Sequence, residues 1–437
     1  MVLLKIVSGQ KPREIALRVL ARRKTGEFTE DLLEAGLAPG RLSPADRHLC
    51  QELVYGVVRW QATLDWLVAR RTKGRTQKPR LQDLLRLGLY QIFWLDRIPN
   101  HAAVHETVEL AKQSGFGPQA GFVNALLRGC LREFDLTKRL LADLKTEQPH
   151  LGYSHPEWLA ARWQQRWGPG RAAELMSWNN TPPKLFARVN TLKTDAGKLL
   201  PQWRDENVEY DFVRHDWVEE NLVFELKSHP PLSRLPSFQE GLFYVQDPST
   251  LLAVRELDPQ PGETVLDLCA APGGKLTYMA QLTRNEGRLF AHDLTTGRLQ
   301  LIEENCRRLG VTCVQTVLPS TLDSQPAALY SRVLIDAPCS NTGAMRRRVD
   351  LRWRIRRDEF GRQRARQLEL LRQGAALLKL GGTLVYSTCS LEPEENREVV
   401  SEFLGARTDF KLERERELLP FVNGTDGAYV ARMKCGH

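Results

Sequence analysis

The 437-residue sequence has no apolar run approaching the roughly 20 residues needed to span a bilayer. Its opening Met1–Val7 stretch is broken by Lys5 and is too short for a secretory signal, so the chain is read as cytoplasmic with no membrane partner. Its eight cysteines (positions 50, 130, 269, 306, 313, 339, 389 and 435) include no C-x-x-C pair, which argues against a disulfide scaffold or a structural zinc site. No metal is expected. Most of these thiols should be small buried hydrophobes, leaving one or two for chemistry. Two nucleotide signatures are missing as well. The turn at 269–276 would need Gly at 269 and Ser or Thr at 276 to be a phosphate-cradling Walker loop, but it has Cys269 and Leu276. The dinucleotide G-x-G-x-x-G is absent too.

What remains is an ordinary globular balance, 42% hydrophobic and 26% charged, with a net charge of +9. A basic excess favours a polyanionic partner. Most of it sits in one place: residues 346–366 hold ten arginines and no lysine against Asp350, Asp358 and Glu359. A solvated arginine-rich helix would account for this. Trp353 and Phe360 lie among the arginines, however, and that mixture suits a surface that grips phosphates and stacks on bases. Arg346, Arg347, Arg348, Arg352 and Trp353 are the candidate RNA contacts.

At this length two or three domains are expected. Residues 1–140 read as all-α. Ser43-Pro44-Ala45-Asp46 is a helix start, followed by Leu49, Leu53, Val54, Val57 and Trp60 at helical spacing. Helical periodicity returns at 81–95, 102–111 and 120–131, with Gly115 and Gly117-Pro118 as punctuation. Residues 141–235 read as a small α+β module with strands near 185–189, 208–213 and 222–226. From 236 to 437 strand and helix alternate, with strands at 264–268, 288–292, 332–335, 383–387 and 428–433. That pattern implies a doubly wound, mostly parallel sheet with its ligands beyond the carboxyl ends of the strands.

Three strand ends carry the chemistry. The 265–275 segment runs from strand through Cys269-Ala270-Ala271-Pro272-Gly273-Gly274-Lys275 into a helix, and its small residues admit a ligand close to the backbone. Asp293 ends the next strand, where an acid can bond a ribose hydroxyl pair. Together they fit a nucleoside ligand without phosphates; the plainer alternative is a tight structural turn beside an incidental acid. Asp336-Ala337-Pro338-Cys339-Ser340 closes another strand, and Ser387-Thr388-Cys389-Ser390 repeats the arrangement one strand later. Either cysteine alone is more simply a buried one, but two at matching strand ends could face one pocket.

Segments 265–275, 333–343 and 384–396 resemble the motifs of the RNA cytosine-C5 methyltransferases. The helical region resembles a NusB-type RNA-binding domain, as seen fused to such a catalytic domain in the small-subunit ribosomal RNA branch of that family. Ala187–Leu192 and Tyr244–Asp247 match further family segments. The resemblance implies a Rossmann-like class I methyltransferase domain with an N-terminal all-α NusB-like domain and an α+β middle module. It also implies S-adenosylmethionine as cofactor, held by residues 269–275, Asp293 and Asp336. The substrate it implies is a cytidine of 16S rRNA, free or in an early small-subunit assembly intermediate, with the chain acting as a monomer.

Cys389 matches the family's nucleophile, Cys339 the group that frees the product, and Asp336 the acid that binds the base. In DNA cytosine-C5 methyltransferases the nucleophile instead follows a proline, which would select Cys339. The longer RNA-type match favours Cys389. Two departures stand out. No acid follows the third strand near Thr316–Pro319, where Asp323 is the nearest substitute, and Asn341 occupies a position where the family commonly has Gly or another small residue. Two other readings are a related enzyme acting on transfer RNA or large-subunit rRNA, and a non-catalytic assembly factor.

Overall fold

The computed structural model describes residues 12–23, 26–38, 42–318 and 328–436. Asp323 and Pro319 lie outside them. The chain divides into two units, one formed by residues 1–181 with 346–354 and the other by 182–345 with 355–437.

The first unit is helical. Ser43 caps the Pro44–Arg59 helix as its sequence suggests, its hydroxyl accepting from Asp46 N–H at 3.1 Å with Pro44 in the first turn. Leu53, Val54 and Val57 of that helix are buried against Leu84, Leu85 and Leu89 of the Pro79–Trp94 helix. Helices at Asn100–Ala111 and Ala120–Arg132 complete the periodic stretches. The helical unit does not stop at residue 140. It continues through Phe134–Glu147 and Glu157–Trp178.

The unit also takes in 346–354, and this corrects the reading of Arg346 and Arg352 as RNA contacts. Val349 is part of the helical core. Arg352 is fully buried and donates to the carbonyls of Arg59, Ser154 and Asn179 and to Asn180 Oδ1, at 2.7–3.2 Å. The Arg346 guanidinium, also buried, stacks 4.0 Å over Trp178. Trp353 is half-buried and gives its indole N–H to Val58 O at 2.8 Å. Phe360, in the second unit, is buried as well. Arg347 is half-buried, and of the five expected contacts Arg348 is the one left exposed. Sequence shows the charge of this segment but not the carbonyls that neutralise it.

In the second unit, β1 (Leu185–Val189), β2 (Glu209–Phe212), β3 (Val223–Ser228) and β4 (Phe243–Val245) form an antiparallel sheet in the order β2-β3-β1-β4. It is packed around Trp203, Phe224 and Phe243.

The larger sheet holds β5 (Thr264–Asp267), β6 (Arg288–His292), β7 (Val314–Val317), β8 (Tyr330–Asp336), β9 (Leu378–Thr388), β10 (Phe410–Leu418) and β11 (Ala428–Cys435). Their order is β10-β11-β9-β8-β5-β6-β7, parallel from β9 to β7 and antiparallel at β10 and β11. Apolar clusters cover both faces, so the sheet is doubly wound. The order in which strands are added reverses at β5, with β8 on one side and β6 on the other. That switch opens the crevice where an α/β sheet takes its ligand.

Candidate active site

Register builds the site. Asp336 on β8 stands opposite Ser387 on β9, so the loops leaving these strands start level and carry Cys339 and Cys389 to one place. The two Sγ atoms are 3.4 Å apart. Glu395 ties the loops together. It accepts from Ser340 N–H at 2.9 Å and from the hydroxyls of Ser340 and Ser390, the residues that follow the two cysteines. Burial pushes the Glu395 carboxyl up, against the pull of those donors. Thr342 and Gly343 close the contact. Thr342 Oγ1 accepts from Leu391 N–H at 2.8 Å, and Gly343 N–H donates to Cys389 O at 2.9 Å. A Cβ on Gly343 would meet Cys389 O and the Gly427 backbone at 2.8–2.9 Å, so only glycine admits this approach.

Asp336 carries two donors. Lys275 Nζ lies 2.6 Å from Oδ2, and the Ser387 hydroxyl lies 2.8 Å from Oδ1. Burial alone would lower the Lys275 pKa, but Asp336 outweighs it and the ammonium is held above its ordinary value. Lys275, expected from sequence among the cofactor residues, thus partners Asp336. Cys339 is almost fully buried, and its thiol is pushed well up by the hydrogen bond with Cys389 and by desolvation. Cys389 is partly exposed, and its thiol donates to Asn341 Oδ1 at 3.0 Å.

Beside this lies the turn after β5. Gly273 adopts φ +101° and leads into the Gly274–Leu282 helix, while Ala271 N–H donates to Asp293 at 3.0 Å. Asp293 is buried at the end of β6 and also bonds Leu294 N–H and the Arg298 guanidinium. Asp267, at the end of β5, is fully buried. Desolvation and the nearby Asp336 push its carboxyl up to about 7. Asp267, Asp293 and Asp336 are set against Lys275 and Arg298, so the acids outnumber the bases at the crevice, and a cationic ligand would relieve the surplus. The donor set therefore fits a sulfonium amino acid joined to a nucleoside, with sugar hydroxyls reaching Asp293 in exchange for one of its present hydrogen bonds. The end of β7 offers no acid at Thr316–Leu318. Burial and the acids at 267, 336 and 293 raise Cys269 well above an ordinary thiol, which suits packing rather than nucleophilic attack.

Residues 254–434 match the model of the 16S rRNA methyltransferase RsmB/F family, residues 10–132 that of the NusB family, and residues 155–228 that of the RsmF/B-like ferredoxin-like domain. The probable ribosomal RNA small subunit methyltransferase B of Bacillus subtilis is 37% identical over 97% of this chain and 98% of its own. The chain belongs to the ribosomal RNA small subunit methyltransferase B family. The Synechocystis member is 35% identical, covering 98% of this chain and 100% of its own. A solved methyltransferase homologue from Pyrococcus horikoshii superposes with a TM-score of 0.57 at 32% identity, covering 65% of this chain and 97% of that one. Another solved chain shares the fold over 98% of this one, with a TM-score of 0.77 at 24% identity.

Both cysteine loops, Asp336 and the 269–275 turn lie within the residues matched by the RsmB/F family model. Glu395 and Ser387 lay in segments whose resemblance was noted, but without roles. Glu395 sits five residues after Ser390, a spacing with no periodic meaning until both loops are folded. Arg298 carried no sequence signal at all.

Proposed function

We propose that this chain transfers a methyl group from S-adenosylmethionine to carbon 5 of a cytidine in 16S rRNA, through a covalent bond between Cys389 and carbon 6. It acts as a monomer in the cytoplasm, on naked rRNA or an early small-subunit particle. The observation that carries the reading is the pair of thiols 3.4 Å apart at the ends of neighbouring parallel strands, with the Lys275–Asp336 pair beside them.

When bound, S-adenosylmethionine supplies an electrophilic methyl group that an unactivated cytosine carbon 5 is too weak a nucleophile to take. Residues 269–275, Asp293 and Asp336 would hold it. Cys389 gives up its S–H proton to water, and addition of the resulting thiolate to carbon 6 turns carbon 5 into an enamine carbon able to attack. Asp336, fixed by Lys275 and Ser387, accepts the exocyclic amine N–H and favours protonation at nitrogen 3 as charge builds on the ring. Cys339, once it has passed its own proton to water, then removes the carbon 5 proton, directly or through a water, and the Cys389–carbon 6 bond breaks with its electron pair returning to sulfur. Burial and the hydrogen bond with Cys389 keep Cys339 protonated in the resting site, which supports Cys389 as the attacking sulfur. RNA is held in part by exposed arginines such as Arg348.

The test is covalent trapping with small-subunit rRNA and S-adenosylmethionine. Cys389→Ala forms no adduct and Cys339→Ala accumulates one. The opposite pattern exchanges the two roles, and methylation mapped by bisulfite sequencing to another RNA or base refutes the substrate.

A further inference from the structure

Asn341 sits in the left-handed region, φ +56° and ψ +26°, two residues after Cys339. Its amide spans both cysteine loops. Nδ2 donates to Cys339 O at 2.8 Å, and Oδ1 accepts the Cys389 thiol at 3.0 Å. The first bond fixes the second: a flipped amide would set Oδ1 against the Cys339 carbonyl, oxygen facing oxygen, and lose a donor. The amide therefore presents an acceptor, and not a donor, to the nucleophilic sulfur.

We propose that Asn341 is a positioning residue that holds Cys389 in its neutral thiol form until substrate is bound, guarding the nucleophile against premature ionisation and alkylation. An acceptor lone pair stabilises the S–H it receives and repels a sulfur anion. Cys339 completes the arrangement. With the Cys389 proton committed to Asn341, the 3.4 Å contact between the sulfurs is made by the Cys339 S–H donating to Cys389. The nucleophile so held points one hydrogen at Asn341 and takes one from Cys339, and a base entering between the loops must displace the Asn341 contact.

The charged and titratable groups around Cys389 are Lys275 with its partner Asp336, Cys339, and Glu395 and Tyr386 on the far side of Cys339. Lys275 interacts electrostatically with Cys389, and Asn341 presents an acceptor to the same sulfur. Its removal should uncover that cation's effect.

The inference rests on Cys389 being the nucleophile, but its test does not use RNA. Full-length wild type, Asn341→Gly and Asn341→Asp are treated with iodoacetamide across a pH series, and Cys389 alkylation is read by peptide mass spectrometry. Glycine takes the left-handed backbone freely and aspartate tolerates it, so both variants keep the turn. Asn341→Gly moves the alkylation midpoint down by about half a pH unit or more, roughly threefold in rate at neutral pH. Asn341→Asp keeps the acceptor and adds negative charge, so its midpoint moves up. Any pattern other than displacement in opposite directions, including no displacement or loss of both midpoints together, overturns the proposal. If the midpoints separate as stated but Cys389 forms no RNA adduct, the role of Asn341 stands and the reading of Cys389 as nucleophile falls.

Discussion

Asp267 offers a sharp quantitative test of the electrostatics at the crevice. Its carboxyl titrates near 7 in the fold, against 3.8 when exposed, because it is desolvated and faces Asp336. A folded-state pKa above the unfolded one means the native protein binds the proton more tightly. Stability from this group is thus fully present below about pH 4 and is lost as pH rises through 7. At about pH 8 the full difference amounts to about 4 kcal/mol against the fold, and relaxation or water entry brings a realistic figure nearer 2 kcal/mol. Asp267→Asn keeps the shape and can still accept from Cys269 N–H, which now reaches Oδ1 at 3.3 Å, while removing the ionisation. The substitution should therefore stabilise the unliganded protein at about pH 8 by about 2 kcal/mol, or several degrees in Tm, with a difference near zero at about pH 4. Differential scanning calorimetry across that range measures it. A difference independent of pH, or one of opposite sign at high pH, would refute the idea that Asp267 is held against its own charge. The same substitution should weaken S-adenosylmethionine binding most at high pH, where the wild-type carboxylate is ionised.

Other substitutions probe the remaining contacts. Gly343→Ala drives a methyl group into the Cys389 carbonyl and the Gly427 backbone, and should cost about 1–3 kcal/mol of stability and about 10²-fold in kcat; melting and single-turnover methylation check both. Lys275→Met frees Asp336 from its 2.6 Å partner and should lower kcat by about 10²-fold or more, with circular dichroism unchanged. Arg352→Leu abandons four acceptors inside the helical unit and should cost about 3 kcal/mol while leaving the salt dependence of RNA binding as it was. The exposed Arg348→Ala, by contrast, should reduce the salt slope by about 1 without changing the melting temperature.

Strand positions in the catalytic unit were legible where covering on both faces makes a run apolar, as at Leu289, Phe290 and Ala291 of β6 and at Leu384, Val385 and Tyr386 of β9. The edge strand β10 was not. Its Glu413-Arg414-Glu415-Arg416-Glu417 run looks like a solvated charge cluster, and only pairing to β11 with one exposed face makes it a strand. The candidate site was legible because its thiols and Asp336 follow strand ends directly, in short motifs. What joins them was not, since the Lys275–Asp336 pair and the Glu395 tether span 61 and 55 residues of sequence. The arginines of 346–354 misled for the same reason: a guanidinium bonded to carbonyls far away in sequence has the same composition as one waiting for phosphate.

That segment bears on how the chain is made. Val349 and Arg352 fill the interior of a helical unit whose other residues end at 181. A ribosome has emitted that unit's helices well before it reaches residue 346, so the helical core waits, with an unfilled seat, through the synthesis of more than 160 further residues. A gene fragment ending at 181 would therefore encode the helices of this unit without Val349 and Arg352, the residues that fill its interior from far along the sequence.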